Sequence, residues 1–600
     1  MAENHDEAKL HEKKEDQNSS QQNKTAQHSS QKVINSAFDG AGMLMALFAF
    51  QRLANFVLNQ LLIREAEPEV YGIASIQFEL VLSTVLFLSR ECFRLTLLRS
   101  HLLGETPSQR QQLVNTAWLP VPLGAVAVAA VMAYVARLPS ASTFSDAHKG
   151  AINLYCLGAF LETLAEPLFI ISQNCLLPGL RVTSEGFATF VKGLVTYVLM
   201  KWFRLGVLAF GFGQFAYGVG LYLSYAVLLL RLLYRKKHSS ASSFPFHSWK
   251  ELLPRRPPGT MDAATSSWFN WPQLRLAAVL FGQGLFKHAL TEGDKLVLAT
   301  TASYYDQGVY ALAQNYGSLA ARLVFLPFEE SARLIFSKLA WHQVSGHRQR
   351  NSGTSQAPSN EDLKLLQKML SSFLKISALI GLLIFSLGFN YTDILLQIIS
   401  GSRWTATQAP QTLAWFTLYV LVMAVNGMLE AFVFSVSSSK QVSQITVALF
   451  ACFGVFAASA PALMRELGTP GLVIANCFGM GCRIVCSVIF TGRYFGARQK
   501  TDDPSKRVYH DWTFLREAQP HWVVMMVFIA SFVVTLHSKS FFLDFSTSKH
   551  DEIFVNLMHI AVGIVCFLAL VFSALIFEGR LIWQLKSLRK GDLSEKQKQS

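Results

Sequence analysis

Apolar stretches separated by short polar ones run from about residue 37 to residue 578, and each approaches the roughly 20 residues needed to cross a bilayer as a helix. They fall at 37–63, 70–98, 113–136, 150–176, 184–203, 206–233, 273–300, 305–339, 365–389, 408–437, 441–464, 470–495, 520–538 and 554–578. The predicted fold is all-α: a polytopic membrane protein of about 14 transmembrane helices, arranged as two pseudo-symmetric six-helix lobes plus a C-terminal helix pair. The polar stretches set the domain limits. A disordered cytosolic tail over 1–36 precedes an N-terminal lobe over 37–233, a cytosolic linker over 234–272 and a second lobe over 273–496. A cytosolic loop over 497–519, helices 13 and 14 within 520–578 and a cytosolic tail over 579–600 complete the chain. The first 36 residues lack the apolar core of a cleavable signal peptide, so the first span is expected to direct insertion. A second polar loop, at about 341–362, is rich in Ser, Gln and Asn.

The two-lobe reading rests on a duplication. Displaced by 239 positions, the stretch from Val70 to Leu95 lies over Val309 to Leu334 without a gap. Val70, Tyr71, Ala74, Leu80, Val85, Glu91, Arg94 and Leu95 then meet identical residues. Each copy is a long apolar helix ending in a charged cluster, Arg90-Glu91-Cys92-Phe93-Arg94 in one and Glu329-Glu330-Ser331-Ala332-Arg333 in the other. Because the repeat keeps its direction across the membrane, the lobes should be related by an axis along the membrane normal, as in transporters with a substrate path between parallel repeats.

Composition agrees: 51% of residues are hydrophobic and only 15% charged, more apolar surface than a soluble core of this length hides. The net charge of +14 is informative through its placement. Basic residues crowd the loop with Arg231, Arg235, Lys236, Lys237, Lys250, Arg255 and Arg256, the loop with Arg493, Arg498, Lys500, Lys506 and Arg507, and the tail with Arg580, Lys586, Arg589 and Lys590. All fall on one face with the N-terminus, so both termini are expected in the cytosol, and the basic excess marks topology rather than nucleic-acid binding. On that topology Asn390-Tyr391-Thr392 is a candidate glycosylation sequon, close to the end of a span. The eight cysteines lie in or at the edge of spans, and no structural disulfide, metal or cofactor is expected.

Charges inside apolar helices are the candidate chemistry, since each costs on the order of 3 kcal/mol at mid-bilayer without a partner or water. Span one carries Arg52, with Arg64 at its end; span seven carries Lys287, His288, Glu292, Asp294 and Lys295. Lys287 lies ~20 Å into its helix, near mid-membrane. Arg52, Lys287, His288 and Lys295 are candidates to meet an anion between the lobes; internal pairing, as between Glu292 and Lys295, is the structural alternative. The duplicated clusters suggest a cytosolic gate or structural charge network of Arg90, Glu91, Arg94, Glu292, Asp294, Glu329, Glu330 and Arg333. Crossed pairs Arg94–Glu330 and Glu91–Arg333 compete there with local pairing along each helix. Pro327 suggests a kink beside the second cluster. Glu162 and Glu166 are expected to pair with Lys192 or with another helix.

Leu86-Phe87-Leu88-Ser89-Arg90-Glu91-Cys92-Phe93-Arg94, Leu290-Thr291-Glu292-Gly293-Asp294-Lys295, Gln307-Gly308-Val309-Tyr310 and the run from Asn315 to Ser331 resemble a known family. It is the eukaryotic endoplasmic-reticulum family implicated in translocating the dolichol-linked N-glycan precursor. That family lies within the superfamily of multidrug, oligosaccharidyl-lipid and polysaccharide exporters. The resemblance implies fourteen spans, an endoplasmic-reticulum location, and a cargo of dolichol diphosphate carrying two N-acetylglucosamines and five mannoses. It also implies Arg64 as a further candidate diphosphate contact, the bilayer and other N-glycosylation proteins as partners, and no catalytic residue. Two readings of other classes stay open: a non-transporting scaffold for N-glycosylation, and a dolichol-dependent glycosyltransferase with Glu65-Ala66-Glu67 as its site. A P-loop, HExxH, GxSxG and CxxC are all missing from the sequence.

Overall fold

The structure is a computed structural model that describes residues 53–98, 106–138, 145–175, 177–238, 244–258, 267–345, 360–498, 511–544 and 549–579. Arg52, the N-terminal tail, much of the 341–362 loop and the C-terminal tail lie outside the described residues. The described chain is built of long helices: α1 (53–65), α2 (68–97), α3 (107–137), α4 (Asp146–Asn174), α5 (Pro178–Lys201), α6 (Val207–His238), α7 (Trp271–Thr301) and α8 (304–345). Then follow α9 (Asn360–Ile399), α10 (Ala409–Val436), α11 (Ser439–Leu467), α12 (Thr469–Arg498), α13 (Trp522–Asp544) and α14 (Lys549–Phe577). Ten of these are long and apolar enough to cross a membrane. Helices α5, α7 and α8 have the length but carry the charges that the sequence singles out, which lowers their hydropathy. Large side chains such as Phe541, Ile564, Val565 and Phe572 stand exposed, as on helices solvated by lipid. The protein is a multi-pass membrane protein.

Both copies of the duplicated segment depart from regular α-helix. Helix α2 contains π-helical turns at Ile73–Phe78 and Phe87–Glu91, and α8 contains one at Ala321–Phe325. In α8 the wide turn ends two residues before Pro327, whose ring lacks an amide donor and collides with the carbonyl one turn back. The irregularity expected at Pro327 is therefore a π turn just upstream of it.

The chain divides into two compact units. One takes the chain up to Glu65 and from Val85 to Gly282; the other takes Ala66–Thr84 and everything from Gln283. The divisions fall inside α2 and α7 rather than in the polar linker. In the first unit α4 and α6 cross with their backbones touching. A Cβ on Gly158 would sit 2.6 Å from the Gln214 carbonyl oxygen, and one on Gly218 2.6 Å from that of Gly158. Only small residues allow so close a crossing. Phe169, Ile170, Leu221, Tyr225 and Leu229 fill the core beside it. The part of the linker that is described is not a free tether. Phe244, Phe246 and Leu252 enter the same core, and Asn115 of α3 donates to the carbonyls of Arg255 (2.8 Å) and Trp268 (3.0 Å).

In the second unit the start of α2 lies against α8, where a Cβ on Gly308 would come within 1.8 Å of the Pro68 carbonyl oxygen. Helices α8, α9, α10 and α12 enclose Phe336, Phe432 and Phe495, with Phe432 and Phe495 stacked at 5.4 Å. The C-terminal pair is joined to α9. Val524, Phe528 and Leu570 pack on Leu379 and Leu383, and Lys375 meets Glu578 at 3.2 Å. Here the sequon expectation is corrected. Helix α9 runs ten residues past the predicted span end at 389, and Asn390 is buried, its side-chain amide donating to the Thr535 hydroxyl at 2.8 Å and the Phe532 carbonyl at 3.2 Å. An asparagine held inside a helix bundle is no glycan acceptor.

Candidate functional site

Each unit contains a cavity with charged side chains in its wall. In the first, the Gly158–Gly218 crossing brings α4 against α6, and the C-terminal part of α2 lies alongside. One helical turn beyond Gly158, Glu162 accepts from Arg90 at 2.9 Å, and one turn further Glu166 accepts from both Nε and Nη2 of Arg94. Arg90 also lies 3.5 Å from Glu166. Glu166 is 1% exposed, so its charge depends on these partners. The Arg94 guanidinium covers the Phe169 ring at 4.2 Å, and Arg181 pairs with Glu185 at 3.0 Å. A cavity of about 200 Å³ lies among these groups, with Tyr217 and Tyr225 of α6 in its wall. Lys192 lies nearby, its ammonium over the rings of Tyr155 and Tyr217.

The second unit has a smaller cavity, about 100 Å³, lined by Asp294 of α7, Tyr419 of α10, and Asn476 and Arg483 of α12. Asn476 donates to the Tyr310 hydroxyl at 2.9 Å, and Arg483 lies 3.9 Å from Glu430. Lys295 and Glu292, three residues apart on α7, pair at 3.0 Å. No group of three or more His, Cys, Asp or Glu among the described residues is placed to hold a metal ion.

The candidates read from sequence therefore separate. Arg90 and Arg94 belong to an ion-pair network within the first unit, and the carboxylate that holds Arg94 there is Glu166. Glu162 and Glu166 take partners from another helix, and Lys192 is drawn to tyrosine rings instead. Glu91, Glu330 and Arg333 are exposed, while Glu329 packs its carboxylate onto the bare backbone of Gly427. Among the proposed anion contacts, Lys295 is occupied by Glu292 and His288 lies 3.4 Å from the Thr84 hydroxyl. Lys287 and Arg64 are exposed. Sequence reasoning passed over Glu185, Tyr217, Tyr225, Tyr419 and Asn476. A signal existed for two of them, since Tyr217, Leu221 and Tyr225 follow at four-residue spacing on one face of α6.

Comparison with known proteins bears on this arrangement. The family described as Rft protein matches residues 17–588. The chain is 30% identical over 574 residues to the Man(5)GlcNAc(2)-PP-dolichol translocation protein RFT1 of Mus musculus, covering 94% of this chain and 99% of that protein. It is 33% identical over 502 residues to the protein of the same name from Yarrowia lipolytica, covering 77% of this chain and 71% of that one. Among solved structures, an inward-facing multidrug resistance MATE family transporter of the MOP superfamily aligns with a TM-score of 0.50 at 12% identity, covering 76% of this chain and 96% of its own. That likeness concerns the fold alone.

Proposed function

Starting from the chain's membership of the Rft protein family, we propose that it moves a dolichol-diphosphate-linked oligosaccharide from the cytosolic to the lumenal leaflet of the endoplasmic-reticulum membrane. Two helical lobes alternate access around a cationic passage, and both termini stay in the cytosol. The observation that carries the reading is the character of α7. An ammonium, Lys287, stands exposed on a helix along which Glu292, Asp294 and Lys295 are half-buried, and Glu292 and Lys295 neutralise each other. A cation with no ion-pair partner among the described residues suits a diphosphate that must cross the low-dielectric core. Arg52 and Arg64 are assigned the same role, with His288 in support. Lys295 is assigned to holding Glu292.

No bond is made or broken in this function, so no catalytic residue is assigned. Other N-glycosylation proteins are partners because they supply and consume the lipid. The test is reconstitution of the purified protein in liposomes with the labelled oligosaccharide lipid, and measurement of its appearance in the opposite leaflet. The wild type should accelerate movement, and Lys287→Ala and Arg52→Ala should each slow it about tenfold or more, the loss expected for one charged hydrogen bond. Equal rates in protein-free and protein-containing vesicles would overturn the reading and leave the scaffold.

A further inference from the structure

A third cavity lies in the second unit, between α10, α11 and α12, and at about 630 Å³ it is larger than the two already described. Its origin is the splay of two consecutive helices. Only Ser437 and Ser438 separate α10 from α11, yet α11 packs along α12 and hardly touches α10. The opening is walled mainly by apolar side chains, among them Val433, Phe434, Ile445, Leu449, Ile489 and Phe490. All three helices are long and apolar enough to span a membrane, and Val447 and Val485, each next in sequence to a residue of the wall, are exposed. An apolar cleft on such a surface has lipid chains rather than water as its solvent.

Length and charge together select the lipid. The wall runs from Gln441 to Leu449 on α11 and from Cys486 to Ala497 on α12, about 12–17 Å at 1.5 Å per residue. That is one leaflet of a ~30 Å hydrocarbon core, not a full crossing. Gln441, Gln444 and Arg493 lie toward the end nearest the α10–α11 turn, and Lys440 sits one turn before Gln444 on the same helix face. Arg493 and Lys440 are both exposed, and neither has an ion-pair partner among the described residues. The carboxylate of the wall, Glu430, belongs to the opposite, deep end, where it lies 3.9 Å from Arg483. Two cations at the membrane surface with a leaflet-deep apolar cleft below them complement a lipid that carries its negative charge at the headgroup. We propose that the cleft binds an acidic glycerophospholipid. One acyl chain fills the space between α10 and α11, the phosphate diester accepts from Arg493 and Lys440, and the Gln444 carboxamide donates to the headgroup. The bound chain bridges two helices that the protein itself leaves apart. The topology proposed above makes this the cytosolic leaflet, whereas the site itself does not depend on what the protein moves.

The test uses the full chain in phosphatidylcholine nanodiscs with a trace of a lipid bearing a photoreactive diazirine on one acyl chain, either phosphatidylinositol or phosphatidylcholine. Labelled peptides are mapped by mass spectrometry. The phosphatidylinositol probe should label 441–449 and 486–497 at least fivefold more than the phosphatidylcholine probe. Arg493→Gln and Lys440→Gln should each cut that labelling about fivefold and leave the phosphatidylcholine signal unchanged, the factor for one cation at an acidic membrane surface. Arg235→Gln, which removes an exposed cation of the first unit, should change neither. Ala448→Phe, which puts a ring into the cleft, should lower labelling by both probes. Equal labelling by the two probes, or phosphatidylinositol labelling that survives both cation variants, overturns the proposal. Labelling abolished by an equimolar amount of unlabelled oligosaccharide lipid gives the cleft to the cargo and overturns it as well. Lipid movement in the liposome assay is read separately, so loss of this site leaves the proposed function standing and loss of the function leaves the site.

Discussion

Substituting Glu166 probes the first unit most directly. The side chain is 1% exposed, accepts from two nitrogens of Arg94, and lies 3.5 Å from Arg90. Glu166→Gln keeps the shape but removes the charge and turns an acceptor into a donor facing a guanidinium. Breaking a buried pair by removing one partner costs about 3–5 kcal/mol. Two features of the structure reduce that figure. Arg94 is 23% exposed, so it retains some solvation, and it keeps the face of Phe169 at 4.2 Å, a contact worth about 0.5–2 kcal/mol. A net loss of about 2–3 kcal/mol follows. At roughly 2–4 °C per kcal/mol for a domain of this size class, Tm should fall by about 4–12 °C. The assay is scanning fluorimetry of purified protein in detergent at one fixed heating rate, because unfolding of such a protein reports kinetic as well as equilibrium stability. The swap Arg94→Glu with Glu166→Arg should recover at least half of the loss, and Arg94→Glu with Glu330→Arg should recover none. A Tm within 1 °C of wild type for Glu166→Gln (a change of about half a kcal/mol or less), or rescue by the Glu330 partner alone, refutes the assignment.

Three further outcomes are expected. Gly308→Ala places a methyl against the Pro68 carbonyl, backbone that cannot step aside, and should cost about 1–3 kcal/mol, whereas Gly282→Ala meets open space and should be neutral or gain a few tenths in the same melting assay. Protein expressed in a glycosylating cell should show no gel shift on endoglycosidase digestion that depends on Asn390, and Asn390→Leu should lower Tm because the Thr535 hydroxyl and Phe532 carbonyl each lose a donor, about 1 kcal/mol apiece. Glu578→Gln should destabilise more than Lys375→Met, since Glu578 accepts both from Lys375 at 3.2 Å and from the His521 backbone amide at 2.7 Å; equal melting shifts would contradict that geometry.

Helices were legible in the sequence because lipid solvation writes itself into long apolar runs. Their ends were less so. Span nine seemed to stop at Asn390-Tyr391-Thr392 because those side chains are polar. In the structure Asn390 and Tyr391 bond to α13 and α14 and the helix continues to Ile399. A polar residue on a membrane helix thus signals a helix neighbour as readily as a membrane surface. The packing of the linker was hard to read for a related reason. Its Ser- and Pro-rich composition suggests a tether, but Asn115 and Gln111 of α3 supply the side-chain hydrogen bonds that hold its backbone.

Partners of the buried charges were the least legible feature, and the reason is geometric. Spacing along one helix identifies local pairs, as it did for Glu292 and Lys295, and the duplication suggested symmetric pairs between copies. Neither frame contains the crossing of α4 and α6 at Gly158 and Gly218, which sets Glu162 and Glu166 at the depth of Arg90 and Arg94. That crossing has a consequence for the proposed mechanism. Arg90–Glu162 and Arg94–Glu166 are internal to one unit, and Lys295–Glu292 and Arg483–Glu430 to the other. Severing a pair with a deeply buried carboxylate, such as Arg94–Glu166, costs about 3–5 kcal/mol, so a switch that had to break it would be slow. Under alternating access these four pairs move with their units and stay closed, and the free energy of the switch falls on exposed groups and on the irregular turns of α2 and α8, where helix geometry is already relaxed.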